Sequence, residues 1–143
     1  MSDDPLDLDG QLCFSLYRAS RAITRAYRPL LDPLGLTYPQ YLVMLVLWQE
    51  SGPVSVNTIG ARLGLDSGTL TPLLRRLGQA GLITRDRDHE DERRRAIVLT
   101  PAGRNLREKA VDVPAQMAAL YPDAPTQLRD LKNFLDDLAT QLT

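Results

Sequence analysis

Apolar residues recur every three or four positions along most of the chain, the spacing of one face of an α-helix. This pattern predicts a long first helix over about residues 8–31 and a second helix over about 39–50. The second helix is apolar nearly all round, which is typical of a helix buried in a core. Thr37 and Pro39 suit its first turn, and the Ser-Gly-Pro sequence at 51–53 ends it.

Two short amphipathic segments follow, separated by a tight turn. The first covers residues 56–63, with Ser55 placed to cap it and Gly64 to end it. The second ends before Gly81, and its apolar positions define one buried face: Leu70, Leu73, Leu74 and Leu77. Two short helices joined in this way predict a helix-turn-helix.

The start of the second of these helices is ambiguous. Asp66 or Ser67 would cap it by accepting a hydrogen bond from an unpaired backbone N–H. Pro72, however, has no N–H to donate near the second turn. The helix therefore either starts later, with Thr69 as its cap, or is slightly bent.

The following residues predict a β-hairpin and two further helical segments. Residues 82–87 and 95–99 have the character of short strands, and the charged segment 88–94 between them is an exposed loop, so the hairpin forms a wing. Thr100 and Pro101 start a fifth helix, which Pro114 ends or kinks. After a loop at 121–125, the last helix carries a narrow apolar seam typical of a coiled coil, made of Leu128, Leu131, Leu135, Leu138 and Leu142.

These elements predict a mainly α protein with a small β-wing, organised as one domain over residues 1–143. The winged helix-turn-helix occupies about 53–100. Helices at about 8–34 and 101–142 flank it, and the terminal seam favours their use in dimerisation over packing on the chain's own first helix. We therefore expect a homodimer.

Composition and charge exclude several classes of protein. The chain has 143 residues and a formal net charge of −1, so any nucleic-acid surface must be local. A single cysteine and a single histidine rule out an internal disulfide and argue against a zinc site, and we expect no metal and no cofactor. No basic segment precedes an apolar run at the N-terminus, and the longest apolar run, 41–48, is too short to span a membrane. We expect a cytoplasmic protein without a membrane partner.

The helix-turn-helix carries candidate contacts to double-stranded DNA. Short hydroxyls and arginines at the start of a recognition helix reach base edges and phosphates when that end enters a major groove. The candidates lie off the apolar face of the helix or on the hairpin: Ser67, Thr69, Thr71, Arg75, Arg76, Arg87 and Arg93. For Arg93 the alternative is a bracing ion pair with Asp91.

The order of elements resembles the MarR family of bacterial repressors. Residues 88–93, followed by Leu99 and Thr100, look like that family's Asp-x-Arg wing signature. Residues 11–17, 36–41 and 65–74 are similar to its organic-hydroperoxide-sensing branch, OhrR. The resemblance extends from about residue 8 to 114 and weakens beyond it.

This resemblance implies that Cys13 is a peroxide-reactive thiol and that the hydroxyls of Tyr27 and Tyr38 donate hydrogen bonds to it. Cys13 and Tyr27 are fourteen residues apart on one predicted helix, a separation of about 21 Å. The two residues can therefore share one site only if they come from different subunits of a two-fold dimer. In such a dimer, the first helices of the two subunits run antiparallel and cross near Ser20.

On residues alone, a lone cysteine between Leu12 and Phe14 is more often a small buried hydrophobe than a sensor. The two tyrosines are, on the same basis, as readily core-edge aromatics as site residues.

The leading hypothesis is a dimeric repressor that leaves a near-palindromic operator when an organic hydroperoxide oxidises Cys13. With no second cysteine to resolve it, oxidised Cys13 ends as a sulfenic acid, a sulfenamide, a mixed disulfide with a small cellular thiol, or an over-oxidised acid. The alternative is a MarR-type repressor released by a small phenolic ligand. A thiol peroxidase fits poorly because no resolving partner exists, so we expect no enzyme.

Overall fold

The computed structural model describes residues 3–85 and 95–143. Two short 3-10 turns, Leu8–Gly10 and Asp32–Leu34, flank the first helix. The regular elements are α1 (Leu12–Leu31), α2 (Tyr38–Gln49), β1 (Val54–Ser55), α3 (Val56–Leu63), α4 (Ser67–Gln79), β2 (Ile83–Arg85), β3 (Ala96–Leu99), α5 (Pro101–Ala110), α6 (Val113–Ala118) and α7 (Pro125–Leu142). This order confirms a mainly α fold with a small β-wing.

Helix α2 lies at the centre of the core, as its apolar sequence predicts. Val43 and Met44 are completely buried, and α2 packs against α1, α3, α4 and α5. Its first turn is a capping box, in which the Thr37 hydroxyl accepts from the Gln40 N–H and the Gln40 side chain accepts from the Thr37 N–H. Helix α2 is therefore in direct contact with both helices of the helix-turn-helix.

The helix-turn-helix forms as predicted, with its caps in place. The Ser55 hydroxyl accepts from the Thr58 N–H at 3.1 Å, and Gly64 ends α3 in the left-handed conformation at φ 67°. The Asp66 carboxylate accepts from the Thr69 N–H at 2.7 Å, so α4 begins at Ser67. The later start with Thr69 as cap is wrong, because a good acceptor at residue 66 satisfies the first turn and Pro72 is tolerated inside the helix.

The wing is based on a three-stranded antiparallel sheet in the order β1-β3-β2. Within it, Thr84 of β2 pairs with Val98 of β3, and Val54 of β1 pairs with Ile97 of β3. The two predicted hairpin strands are confirmed over their described parts, while β1 was missed. Residues 86–94, including the charged loop, lie outside the described residues.

The first of the C-terminal helices, α5, begins directly after strand β3 of the wing. Thr100 caps α5 by accepting from the Gly103 N–H at 3.0 Å, and the Trp48 indole N–H of α2 donates to the Gly103 carbonyl at 2.9 Å. Helix α5 ends at Ala110, and Pro114 lies in the first turn of α6. The predicted break near Pro114 is thus a boundary between two helices.

The two ends of the chain leave apolar side chains uncovered. No residue of α7 is buried, and Leu131 is 51% exposed. On α1, Leu12 and Tyr17 are about as exposed as Leu131, and Leu31 is the buried residue of that helix. Both helices therefore present apolar faces that one chain by itself does not cover.

Among the described residues, no single helix is long and apolar enough to cross a membrane. Residues 12–34 and α2 meet the criteria of length and composition only as a pair bent by 65°. In the same part of the chain, no group of three or more His, Cys, Asp or Glu side chains lies together as a metal site would require.

Candidate DNA-binding surface and redox site

Helix α4 separates a buried face from an exposed one. The four leucines predicted to be buried are buried, at Leu70, Leu73, Leu74 and Leu77. Ser67, Thr69, Arg75 and Arg76 are exposed, and Thr71 is half-buried. The predicted contact residues on this helix therefore lie off the core face, available to a DNA groove.

Two arginines of the same basic cluster in the sequence, which were not among the predicted DNA contacts, lie beside Arg75. A cleft between α4 and the sheet is lined by Arg75, Arg85 and Arg95. The Arg85 guanidinium donates to the Thr71 carbonyl at 3.3 Å, and the Nε of Arg95 is buried with no hydrogen-bond partner among the described residues. Three arginines therefore line one cleft at the base of the wing.

Two of the predicted DNA contacts lie in a part of the chain that the structure does not describe. Arg87 and Arg93 fall within residues 86–94, outside the described residues. The choice between a groove contact and an ion pair with Asp91 is likewise untested for Arg93.

Cys13 lies at the start of α1 and is exposed. Gln11, the residue just before α1, makes no side-chain cap to this helix; its side-chain amide instead donates to the carbonyls of Pro5 and Asp7. The side chain of Gln11 therefore accepts no hydrogen bond from the backbone N–H groups in the first turn of α1. The thiol is open to a small oxidant.

Tyr27 and Tyr38 lie against one another, although they come from different helices. Their ring centroids are 4.6 Å apart, and Tyr41 joins them with its centroid 5.8 Å from that of Tyr27. The sequence predicted the first two residues and missed Tyr41, which is one helical turn after Tyr38. Tyr121 also lies near this tyrosine cluster, since it acts on the titration of Tyr27 and Tyr38.

Burial keeps these hydroxyls protonated. Desolvation, followed by the neighbouring Tyr38, Tyr121 and Tyr41, raises the pKa of Tyr27 to about 12. Burial and Tyr121 also raise the pKa of Tyr38. Both hydroxyls therefore remain hydrogen-bond donors throughout the neutral range, as the stabilisation of an anion requires.

One chain does not bring Cys13 to the tyrosine cluster. Cys13 and Tyr27 lie near opposite ends of the same continuous α-helix, Leu12–Leu31. Their fourteen-residue separation corresponds to about 21 Å along the axis, beyond hydrogen-bonding distance. The structure joins Tyr27 with Tyr38 and leaves Cys13 apart.

Comparison with known proteins gives a consistent family. Residues 25–110 match the family model for the transcriptional regulator SarA/Rot. The chain is 49% identical over 139 residues to the organic hydroperoxide resistance transcriptional regulator of Bacillus subtilis, covering 97% of this chain and 94% of that protein. These relatives are transcriptional regulators and not enzymes.

Solved structures agree with the sequence relatives. Reduced AbfR bound to DNA, a protein of Staphylococcus epidermidis, is 37% identical with a TM-score of 0.79, and covers 99% of this chain and 96% of its own. Overoxidised AbfR bound to DNA is similar, at 38% identity, a TM-score of 0.77 and 95% of each chain. A MarR-family regulator from Rhodococcus sp. RHA1 is 25% identical with a TM-score of 0.80, over 94% and 97% of the two chains.

The winged helix-turn-helix, the exposed arginines of α4 and these relatives point to the same conclusion. The protein is a DNA-binding transcriptional regulator. The chain belongs to the MarR family, as a relative of the organic hydroperoxide resistance regulators.

Proposed function

We propose that this regulator is a dimeric repressor that leaves its operator when an organic hydroperoxide oxidises Cys13. The observation that carries the proposal is the arrangement of α1. It carries the exposed thiol of Cys13 near one end and Tyr27 near the other, where Tyr38 and Tyr41 of α2 pack against Tyr27. The name of the Bacillus subtilis relative supports the choice of an organic hydroperoxide as inducer.

A two-fold axis near Ser20 would complete the site. With two α1 helices antiparallel about that point, Cys13 of one subunit lies opposite Tyr27 and Tyr38 of the partner subunit. Ala19 and Ala22 are small and exposed, so two helices can approach closely there. The dimer would present its α4 helices about 34 Å apart to a near-palindromic operator.

The chemistry needs only a thiolate and a peroxide. The sulfur of Cys13 attacks the terminal peroxide oxygen, the O–O bond breaks, and the alcohol leaves after taking up a proton; the sulfur becomes a sulfenic acid. A small cellular thiol then condenses with the sulfenic acid, forming a mixed disulfide and releasing water. The tyrosine hydroxyls would stabilise the thiolate before attack by donating hydrogen bonds to it.

The mixed disulfide is the form best suited to releasing DNA. It puts a bulky group against Tyr38, which is the first residue of α2. Since α2 packs on α3 and α4, its displacement would tilt the recognition helix. A small acid group at the same sulfur displaces less, in keeping with overoxidised AbfR having been solved on DNA.

Dimerisation is expected to depend on the seam of α7. Leu131→Asp would place a charge in that apolar seam and weaken the dimer at least tenfold, because burying an unpaired carboxylate costs more than about 1.4 kcal/mol. Asn133→Asp adds the same charge on the opposite side of α7 and should leave the dimer intact. Light scattering at micromolar concentration measures both, and a monomeric mass for the unaltered protein would contradict the proposal.

The function is tested by a DNA mobility shift on the intergenic region upstream of the gene. Cumene hydroperoxide with a small thiol should release the bound DNA, and dithiothreitol should restore binding because it reduces the mixed disulfide. Release by peroxide that dithiothreitol never reverses, with or without the small thiol, would contradict the mixed-disulfide step.

One cleft supports the alternative function, a repressor that is released from DNA by a small phenolic ligand. A cavity of about 510 Å³ between α2 and the α5–α6 junction is lined by Tyr41, Trp48 and Arg107. Aromatic walls and one cation suit a small phenolic acid. Release of DNA by such a compound in the absence of peroxide would favour this second function.

A further inference from the structure

A short acidic segment precedes α1, and it is turned back on itself. This N-terminal arm, residues 3–10, carries Asp3, Asp4, Asp7 and Asp9. The Gln11 side chain holds its shape by donating to the Pro5 carbonyl at 2.9 Å and to the Asp7 carbonyl at 3.0 Å. Neither Asp7 nor Asp9 forms an ion pair with any residue that the structure describes. Asp7 and Asp9 are therefore carboxylates without an ion-pair partner in the part of the chain that the structure describes.

The opposite end of α1 borders a groove of the complementary charge. This basic groove, about 390 Å³ in volume, lies between the second half of α1 and the start of α2. Arg21, Arg25 and Arg28 line it, with Asp32 as an acidic neighbour. All three arginines are exposed, and none has an ion-pair partner within residues 3–85 and 95–143. Positive charge is thus in excess along the groove.

The register of the proposed dimer brings these two features together. An antiparallel α1 pair that places Cys13 opposite Tyr27 of the partner subunit also places Leu12, the first residue of α1, opposite Arg28. The arm that precedes Leu12 then continues along the groove past Arg28, on the side of Asp32. The groove reaches the same site, because Tyr38 is among its lining residues. The arm of one subunit therefore meets the groove of the other at the position of the sensing thiol.

We propose that the N-terminal arm of each subunit docks into the basic groove of its partner and thereby positions Cys13 against the partner's tyrosine cluster. This inference rests on the dimeric function proposed above. Its occupant is a second copy of this chain, chosen by charge complementarity, and the two-fold axis produces two such contacts per dimer. Exposed Leu6 and Leu8, at 87% and 58% exposure, lie on the same arm and would be partly covered by docking.

A charge exchange tests the contact. Asp9→Arg and Arg28→Glu should each weaken the dimer on the order of tenfold in sedimentation equilibrium, since each replaces two attractions per dimer with two repulsions. The double variant should regain the unaltered affinity, because it restores opposite charges in exchanged positions. Raising the salt concentration should weaken the unaltered dimer more than either single variant.

A matched control separates the contact from net charge. Asn57→Glu with Ala61→Glu changes the charge of the exposed face of α3 by the same amount as Arg28→Glu, and it should leave the dimer affinity unchanged. If the single variants dimerise like the unaltered protein, or if the double variant stays as weak as the singles, the arm does not dock in the groove. Neither result affects the proposed function if the unaltered protein is a dimer and releases DNA when Cys13 is oxidised.

Discussion

Cys13→Ser is expected to bind operator DNA with unaltered affinity and to lose all release by organic hydroperoxide. The side chain is exposed in one chain and the exchange is nearly isosteric, so folding and α4 are unaffected. A serine hydroxyl does not react with peroxide, and no other cysteine can take over. If oxidation weakens operator binding about a hundredfold, the binding free energies of the reduced and oxidised protein differ by about 2.7 kcal/mol. The substitution removes this difference.

Moving the thiol provides the control for this result. Ser15→Cys in the Cys13→Ser background restores an exposed cysteine on α1, but two residues along a helix turn it by about 200°, away from the original face. That protein should be oxidised by cumene hydroperoxide and stay on DNA. A Cys13→Ser protein that still leaves DNA on peroxide treatment would place the sensor elsewhere and move the phenolic-ligand function to first place.

Arg75→Ala and Arg76→Ala are expected to weaken operator binding by about tenfold or more each, because a charge-assisted contact to phosphate or base contributes about 1.5–3 kcal/mol. Both side chains are exposed on α4 while its leucines are buried, so the loss reflects DNA contacts and not stability. A substitution that removes a phosphate contact should also reduce the slope of log affinity against log salt by about one.

Fluorescence anisotropy with labelled operator between low and moderate salt measures both quantities. Arg129→Ala is the control, since Arg129 is an exposed arginine on α7, remote in sequence from the helix-turn-helix. Its affinity and salt slope should match those of the unaltered protein. An unchanged slope and affinity in both α4 variants would mean that the recognition surface lies elsewhere on the wing.

Local patterns predicted most of the fold. The helix-turn-helix was visible because Ser55, Gly64 and Gly81 each serve a local cap or left-handed position. Strand β1 was missed because its two residues have no periodicity of their own and form a strand only by pairing with β3. Pro72 was ambiguous because its cost had to be weighed against the Asp66 cap, and the structure shows that the cap prevails.

Local sequence patterns predicted less of the candidate redox site than of the fold. The contact between Tyr27 and Tyr38 depends on how α1 and α2 pack, and only the family resemblance suggested it; Tyr41 and Tyr121 were missed for the same reason. Helix geometry alone did predict that Cys13 and Tyr27 are separated in one chain. Their meeting across a dimer axis remains a prediction.

The central claim is that each redox site is shared between two subunits, and mixed dimers test it directly. One subunit carries Cys13→Ser with both tyrosines intact. The other carries Tyr27→Phe and Tyr38→Phe with its thiol intact. Co-expression with two different affinity tags isolates the mixed dimer, and the rate of Cys13 oxidation by cumene hydroperoxide is measured in it and in each parent dimer.

The Phe variant by itself should be oxidised slowly, because its thiolate lacks the tyrosine donors of the partner subunit. In the mixed dimer, its thiol faces the intact Tyr27 and Tyr38 of the Cys13→Ser subunit. The mixed dimer should therefore be oxidised as fast per thiol as the unaltered protein. A mixed dimer as slow as the Phe parent would show that the tyrosines do not act across the subunit boundary, and would contradict the account.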